Sequence, residues 1–125
     1  MSKTADLRKL IVAQLKTLTA AKGVYYRQAA PGAVYPYITF SLDRVDESDL
    51  ARDDVDLCVD IWDHAPDLGT AEGIADAAEG LFNVANLPQT NILPTFFRDV
   101  RYPINEDDKT IQHIQLHFIV QNYTR

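Results

Sequence analysis

Across residues 54–62, Val55, Leu57, Val59 and Ile61 alternate strictly with Asp54, Asp56, Cys58, Asp60 and Trp62. Successive side chains of an extended chain point to opposite faces, so this period of two predicts a strand with one aliphatic and one largely acidic face. The last segment of the chain, 110–123, repeats the pattern. Ile114, Leu116, Phe118 and Val120 share one face, and His113, Gln115, His117 and Gln121 the other. These two strands have the cleanest alternation in the sequence, and their aliphatic faces are the predicted core.

Helical periodicity appears twice. Leu7, Leu10, Ile11, Leu15 and Leu18 recur at the spacing of one helical face, with Arg8, Lys9 and Lys16 elsewhere on the circumference. Ser2 or Thr4 can cap this helix, and Gly23 is the predicted stop. A second helix is predicted over 70–84, burying Ile74, Ala78, Leu81, Phe82 and Ala85. Val24-Tyr25-Tyr26-Arg27 reads as a short strand, and Ala30-Pro31-Gly32 as a turn. Residues 35–43 read as a longer strand with Pro36 near its start, where a missing amide hydrogen does least harm. Pro88 and Pro94 bracket a connection to a further strand at 95–102, and Asn105, Glu106, Asp107 and Asp108 form the turn after it.

The predicted order is therefore α-β-β-β-α-β-β. Hairpin-length gaps favour a largely antiparallel sheet with the two helices on one face, an α+β architecture. The second and third strands are separated by 44–53, a polar stretch without periodicity that reads as a long, mobile hairpin loop.

Composition narrows the class. With 125 residues and an apolar fraction of 46%, residues 1–125 are expected to form one domain with a modest core. No apolar run approaches the roughly 18 residues of a membrane helix, and the start of the chain does not resemble a secretory signal. Cys58 is the lone cysteine, so neither an internal disulfide nor a cysteine-rich metal site is expected. These features point to a soluble protein of a reducing cytoplasm with no membrane partner. The formal charge of -6 is unevenly spread: residues 1–27 hold six basic side chains against Asp6, whereas 43–67 hold ten acidic against Arg44 and Arg52. That separation fits two solvated faces, and equally fits identical copies meeting basic end to acidic end.

Candidate chemistry is sparse. His113 and His117 lie four apart on a strand, about 13 Å at roughly 3.3 Å per residue, too far for direct binding of one metal ion. Asp60, Asp63, His64 and Asp67 could ligate a divalent cation, but their spacing matches no calcium loop, and acids before a helix also favour its amino terminus. Ser2, Ser41 and Ser48 sit in no nucleophile motif, and the five glycines form no phosphate-binding loop. No catalytic, cofactor or metal residue is assigned, and net negative charge argues against a nucleic-acid grip. Gly73 and Gly80, seven apart in the second helix, each cost roughly 0.5–1 kcal/mol relative to Ala and imply close approach of another backbone, the sheet's or a neighbouring subunit's. Trp62 among carboxylates reads as an outer-face side chain under a loop or as a subunit contact.

Taken in order, the amphipathic first helix, Tyr35-Pro36-Tyr37-Ile38, Val59-Asp60-Ile61-Trp62, the helix over 69–82 and the final alternating strand resemble the tail-terminator, or tail-completion, proteins of long-tailed bacteriophages and prophages. The chain departs from that pattern at Pro66-Asp67 and in the Gly-Thr-Ala-Glu start of the helix, where a basic residue is common. The resemblance implies a structural protein without catalysis or cofactor. It implies a ring, with six copies expected, on the end of the tail tube, stopping tube polymerisation and offering the surface that joins the head. Its implied partners are itself, the tail tube protein and a head-completion protein, with DNA passing through an acidic lumen without specific binding. The implied setting is the host bacterial cytoplasm during assembly, then the virion tail. Candidate assembly residues are Asp43, Arg44, Asp46, Glu47, Asp49, Arg52 and Asp53 of the polar stretch, with Trp62, Gly73 and Gly80. The competing readings are a small metal-assisted hydrolase built on the acids at 60–67 and a stand-alone ligand-binding α+β domain.

Overall fold

The alternation at 54–62 marks the centre of a strand that runs further than its apolar positions require. The computed structural model describes residues 3–49, 52–82 and 92–124. Its elements are α1 (Lys3–Leu15), β1 (Val24–Tyr26), β2 (Tyr37–Asp49), β3 (Arg52–His64), α2 (Gly69–Phe82), β4 (Ile92–Ile104) and β5 (Ile111–Thr124). The strands form one sheet in the order β1-β2-β3-β5-β4. β1 pairs parallel to β2, and every other pairing is antiparallel. The α-β-β-β-α-β-β order and mainly antiparallel α+β architecture are those of the hydrophobic pattern.

Register explains the core. Ile38, Ile61 and Ile114 stand in one cross-strand row, Phe40, Val59 and Leu116 in the next, and Leu42, Leu57 and Phe118 in a third. All nine are buried and join one cluster with Leu7, Ile11 and Leu15 of α1 and Ala71, Ile74, Ala75, Ala78 and Phe82 of α2. Both helices therefore cover the same face. Phe82 of α2 meets Phe96 and Phe118 at ring-centre distances of 4.8 and 5.5 Å, adding aromatic contact to area burial.

Four expectations are corrected in detail. The stretch 44–53 is not mainly a loop. Backbone pairing continues through Val45↔Val55, Asp46↔Asp54, Glu47↔Asp53 and Asp49↔Arg52, interrupted by register shifts after Asp43 and after Glu47. Amide hydrogen bonding, which asks nothing of side-chain polarity, extends the ladder past the last apolar position. Leu50 and Ala51 lie outside the described residues, as do the side chains of 44–49.

The first helix ends at Leu15, eight residues before Gly23. The Thr17 hydroxyl donates to the Gln14 carbonyl at 2.6 Å and the Leu18 amide to the Leu15 carbonyl at 3.0 Å, so a tight turn satisfies the terminal carbonyls. Leu18 packs on the core from this turn. Gly23 has another reason to be glycine: a Cβ there would lie 2.6 Å from the Tyr25 hydroxyl oxygen.

Pro94 belongs to β4 rather than to the preceding connection. β4 is a sheet edge, where proline is tolerated. Finally, Gly73 and Gly80 do not approach the sheet, because a Cβ at either would meet nothing within 4 Å. The expected continuation of α2 to 84, with Ala85, and the expected break at Pro88 lie outside the described residues.

β1 returns to a parallel neighbour without a crossover helix. At three residues it is only about 10 Å long, so the connection has little distance to recover. Arg27 (φ 70°) and Gly32 (φ 79°) supply left-handed bends, and the Tyr35–Pro36 bond is cis.

Candidate functional site: the uncovered sheet face

The sheet face opposite the helices carries the alternate positions of the same strands, and it is graded from end to end. At one end Tyr37, Trp62, His113 and Ile104 stand in a row. Trp62 stacks on His113 with ring centres 3.7 Å apart and planes at 16°, and its Nε1–H donates to the Thr39 hydroxyl at 3.1 Å. His113 Nε2 lies 2.6 Å from Asp60 Oδ1, which also accepts from Gln115 Nε2 at 2.9 Å. The Tyr102 hydroxyl donates in turn to the Gln115 carbonyl oxygen. A polar chain across β3, β5 and β4 thus lies beside an aromatic stack, and His113 is only 6% exposed although neither of the described helices covers it. Burial, and then the neighbouring Tyr35, push the Tyr37 phenol above its ordinary pKa.

The middle row is Ser41, Cys58, His117 and Val100. Cys58 Sγ donates to Asp60 Oδ2 at 3.6 Å. Burial, and then the Asp60 carboxylate, raise the thiol pKa to about 12, so it is protonated near neutrality and a poor nucleophile.

At the far end the row is Asp43, Asp56, Ile119 and Phe97, with Asp54 next along β3 in an ion pair with Arg52 at 3.2 Å. This end is acidic on β2 and β3 and apolar on β5 and β4. Phe97, Val100, Tyr102 and Ile119 are each 37–40% exposed.

A register shift between Arg98 and Val100 decides what β4 shows to each side. The extra residue, Asp99, changes the parity of the strand. Val100 and Tyr102 consequently share the open face, while Arg98 and Arg101 stand opposite Phe118 and Leu116 on the covered one. There Arg101 Nη1 lies 2.7 Å from Asp76 and 2.5 Å from Glu79, and Arg98 Nη1 lies 2.7 Å from Glu79. Glu79, 9% exposed, is a buried acid of α2 held between two arginines of β4.

The sequence-predicted candidates fall in three places. Asp43, Arg44, Asp46, Glu47, Asp49, Arg52 and Asp53 gather on the β2–β3 hairpin. Trp62 is at the other end of β3, engaged by His113 and Thr39. Gly73 and Gly80 are exposed on α2, on the opposite side of the molecule. The acids around 60–67 are dispersed: Asp60 serves His113 and Gln115, Asp63 accepts the His64 amide at 2.9 Å, and Asp67 accepts the Gly69 amide at 2.9 Å as α2 begins. Among the described residues no three His, Cys, Asp or Glu side chains come together as a metal cage. No described helix is long and apolar enough to cross a membrane.

Two groups escaped the reading of the sequence. Ile119 was detectable, as an aliphatic residue in the polar register of the last strand. The arginines on Glu79 were not, because the register shift at Asp99 hides which face they occupy.

The subunit is layered, with both described helices on one face of the sheet. The chain belongs to the tail completion family of structural phage tail proteins: the model described as tail completion protein gp17 matches residues 7–120. Two solved structures share the fold. One is a chain of a structure titled virion of native gene transfer agent particle, 18% identical with a TM-score of 0.70, the match covering 90% of this chain and 91% of that one. The other is 17% identical with a TM-score of 0.71, covering 98% of this chain and 96% of that one. No curated protein matches the chain.

Proposed function

We propose that this protein caps the phage tail tube as a ring, six copies being expected, halts addition of tube subunits and presents the surface that joins the head. The observation that carries the reading is the family match over 7–120. The graded open face supports it, since a capping subunit must offer separate surfaces to its neighbours, the tube and the head. The mechanism is shape and charge complementarity, without bond chemistry, carried out in the host cytoplasm before the tail joins the virion. An acidic lumen would let DNA pass without sticking, because like charges repel and no counterions are released. The β2–β3 hairpin, with Asp43, Arg44, Asp46, Glu47, Asp49, Arg52 and Asp53, is the assigned contact to the tube or to a neighbour. The exposed Gly73 and Gly80 of α2 are where another backbone can come close. Trp62 supports the open face from within, through its stack on His113.

Electron microscopy of the protein mixed with its tail-tube subunit tests the reading. Rings seated on tube ends are expected. Tubes that keep growing with bare ends in saturating protein would contradict it.

A further inference from the structure

We propose that the apolar half of the open sheet face, Phe97, Val100, Tyr102 and Ile119, is one side of a head-to-tail contact whose other side is the helix layer of a second copy of this chain. The inference deepens, and rests on, the ring reading above.

Four large apolar side chains exposed by more than a third on two adjacent strands form a patch that an isolated subunit leaves in water. Their strand neighbours in the same row are Asp43 and Asp56, so the patch is bordered by negative charge. The helices lie on the other side of the sheet; there Lys9 of α1 and Lys16 just after it are exposed, while α2 exposes Glu72 and Asp76, so the positive part of that layer is its α1 side. Apolar area and acids on one face, with basic residues on the back, are complementary only when copies stack front to back. Two open faces meeting would bring acids to acids or leave them outside the contact, and in neither arrangement would they meet the basic residues of the back. Front-to-back repetition is a heterologous contact, the kind that closes into rings.

Pairing through the edge of β4 is a poorer alternative. That edge carries Pro94, Pro103 and the irregularity at Asp99, which discourage strand addition. The register shift that spoils the edge also turns Val100 and Tyr102 onto the open face.

The test uses two full-length variants, each blocking one side. Phe97→Asp with Ile119→Asp blocks the sheet face, and Lys9→Glu with Lys16→Glu blocks the helix side. Folding is checked by circular dichroism, and Val100→Lys replaces the first variant if it does not fold. Assembly in solution and on tube ends is followed by native mass spectrometry and electron microscopy. Each variant alone should need about tenfold more protein, or worse, to form rings. Mixed one to one, they should give a heterodimer that grows no further, because each retains one intact side.

Wild-type rings with variants that assemble equally well would overturn the proposed contact and leave the ring reading standing. So would helix-side variants that dimerise alone, or a mixture without the heterodimer. Wild-type protein that forms no ring, free or on tubes, would overturn the ring reading and the contact with it.

Discussion

The two faces of one sheet are made by alternate residues of the same strands, yet they obey different rules. On the covered face, the three rows that run from Ile38, Phe40 and Leu42 of β2 through β3 to β5 are aliphatic or aromatic and all buried under α1 and α2, and on the edge strand β4 Arg98 and Arg101 extend two of them. On the open face, neighbouring rows change from aromatic and polar to acidic and apolar within a few residues. Burial selects for one property, so the covered face is uniform across β2, β3 and β5. An exposed face is free to carry several properties at once, and that freedom leaves room for partners.

The largest expected effect tests whether the covered face alone holds the fold. Phe118→Ala should lose about 3–5 kcal/mol and Leu57→Ala about 2–5 kcal/mol, since each leaves a cavity under the helices. Urea melts that do not move for either variant would remove the corresponding strand from the core.

The next effect lies where a helix meets the edge strand. Glu79→Ala should lose about 1–3 kcal/mol, because it leaves Arg98 and Arg101 without their shared buried partner. Glu79→Gln should fall between Ala and wild type by thermal melting. Equal melts for all three would show that the clamp contributes nothing.

On the open face the prediction concerns pH. Cys58 titrates near 9 when unfolded and about 12 when folded, so the folded state holds its proton more tightly. Its contribution is therefore fully present below pH ~9 and declines as pH rises from there toward ~12. The stability difference between wild type and Cys58→Ala should be constant below pH ~9 and should shift against wild type above it. A difference independent of pH would contradict the raised thiol.

The smallest effect on stability is expected at the hairpin. By register, Asp46 stands opposite Asp54 and Glu47 opposite Asp53, whereas Asp49 stands opposite Arg52. Reversing all three to Lys replaces two like-charge pairs and spoils one favourable pair, each effect being about 0.2–1 kcal/mol. The melt should move little, while ring formation weakens. Normal, capped, head-joined tails made with this variant would remove the hairpin from the mechanism.

These differences also explain what the sequence disclosed. The strands around Leu57 and Leu116, the helix around Ile74 and the order of elements were legible, because burial writes a period of two or 3.6 into the chain. The extension of β2 and β3 through 44–49 and 52–53 was not, since paired backbone leaves no mark on polar side chains. The network of His113, Asp60 and Gln115 was half visible, as polar residues on one face, but its stack on Trp62 needed the cross-strand register. The acidic hairpin could be nominated from charge, whereas Phe97, Val100 and Tyr102 depended on a one-residue shift that no periodicity reveals.

The central claim is that the open face serves assembly at the end of a tail. It is tested most directly by measuring tail lengths, by electron microscopy, in lysates of phage lacking this protein against lysates in which it is restored. The account predicts overgrown or headless tails in its absence, and uniform, head-joined tails on restoration. Uniform tails of normal length, joined to heads, in the complete absence of the protein would contradict it.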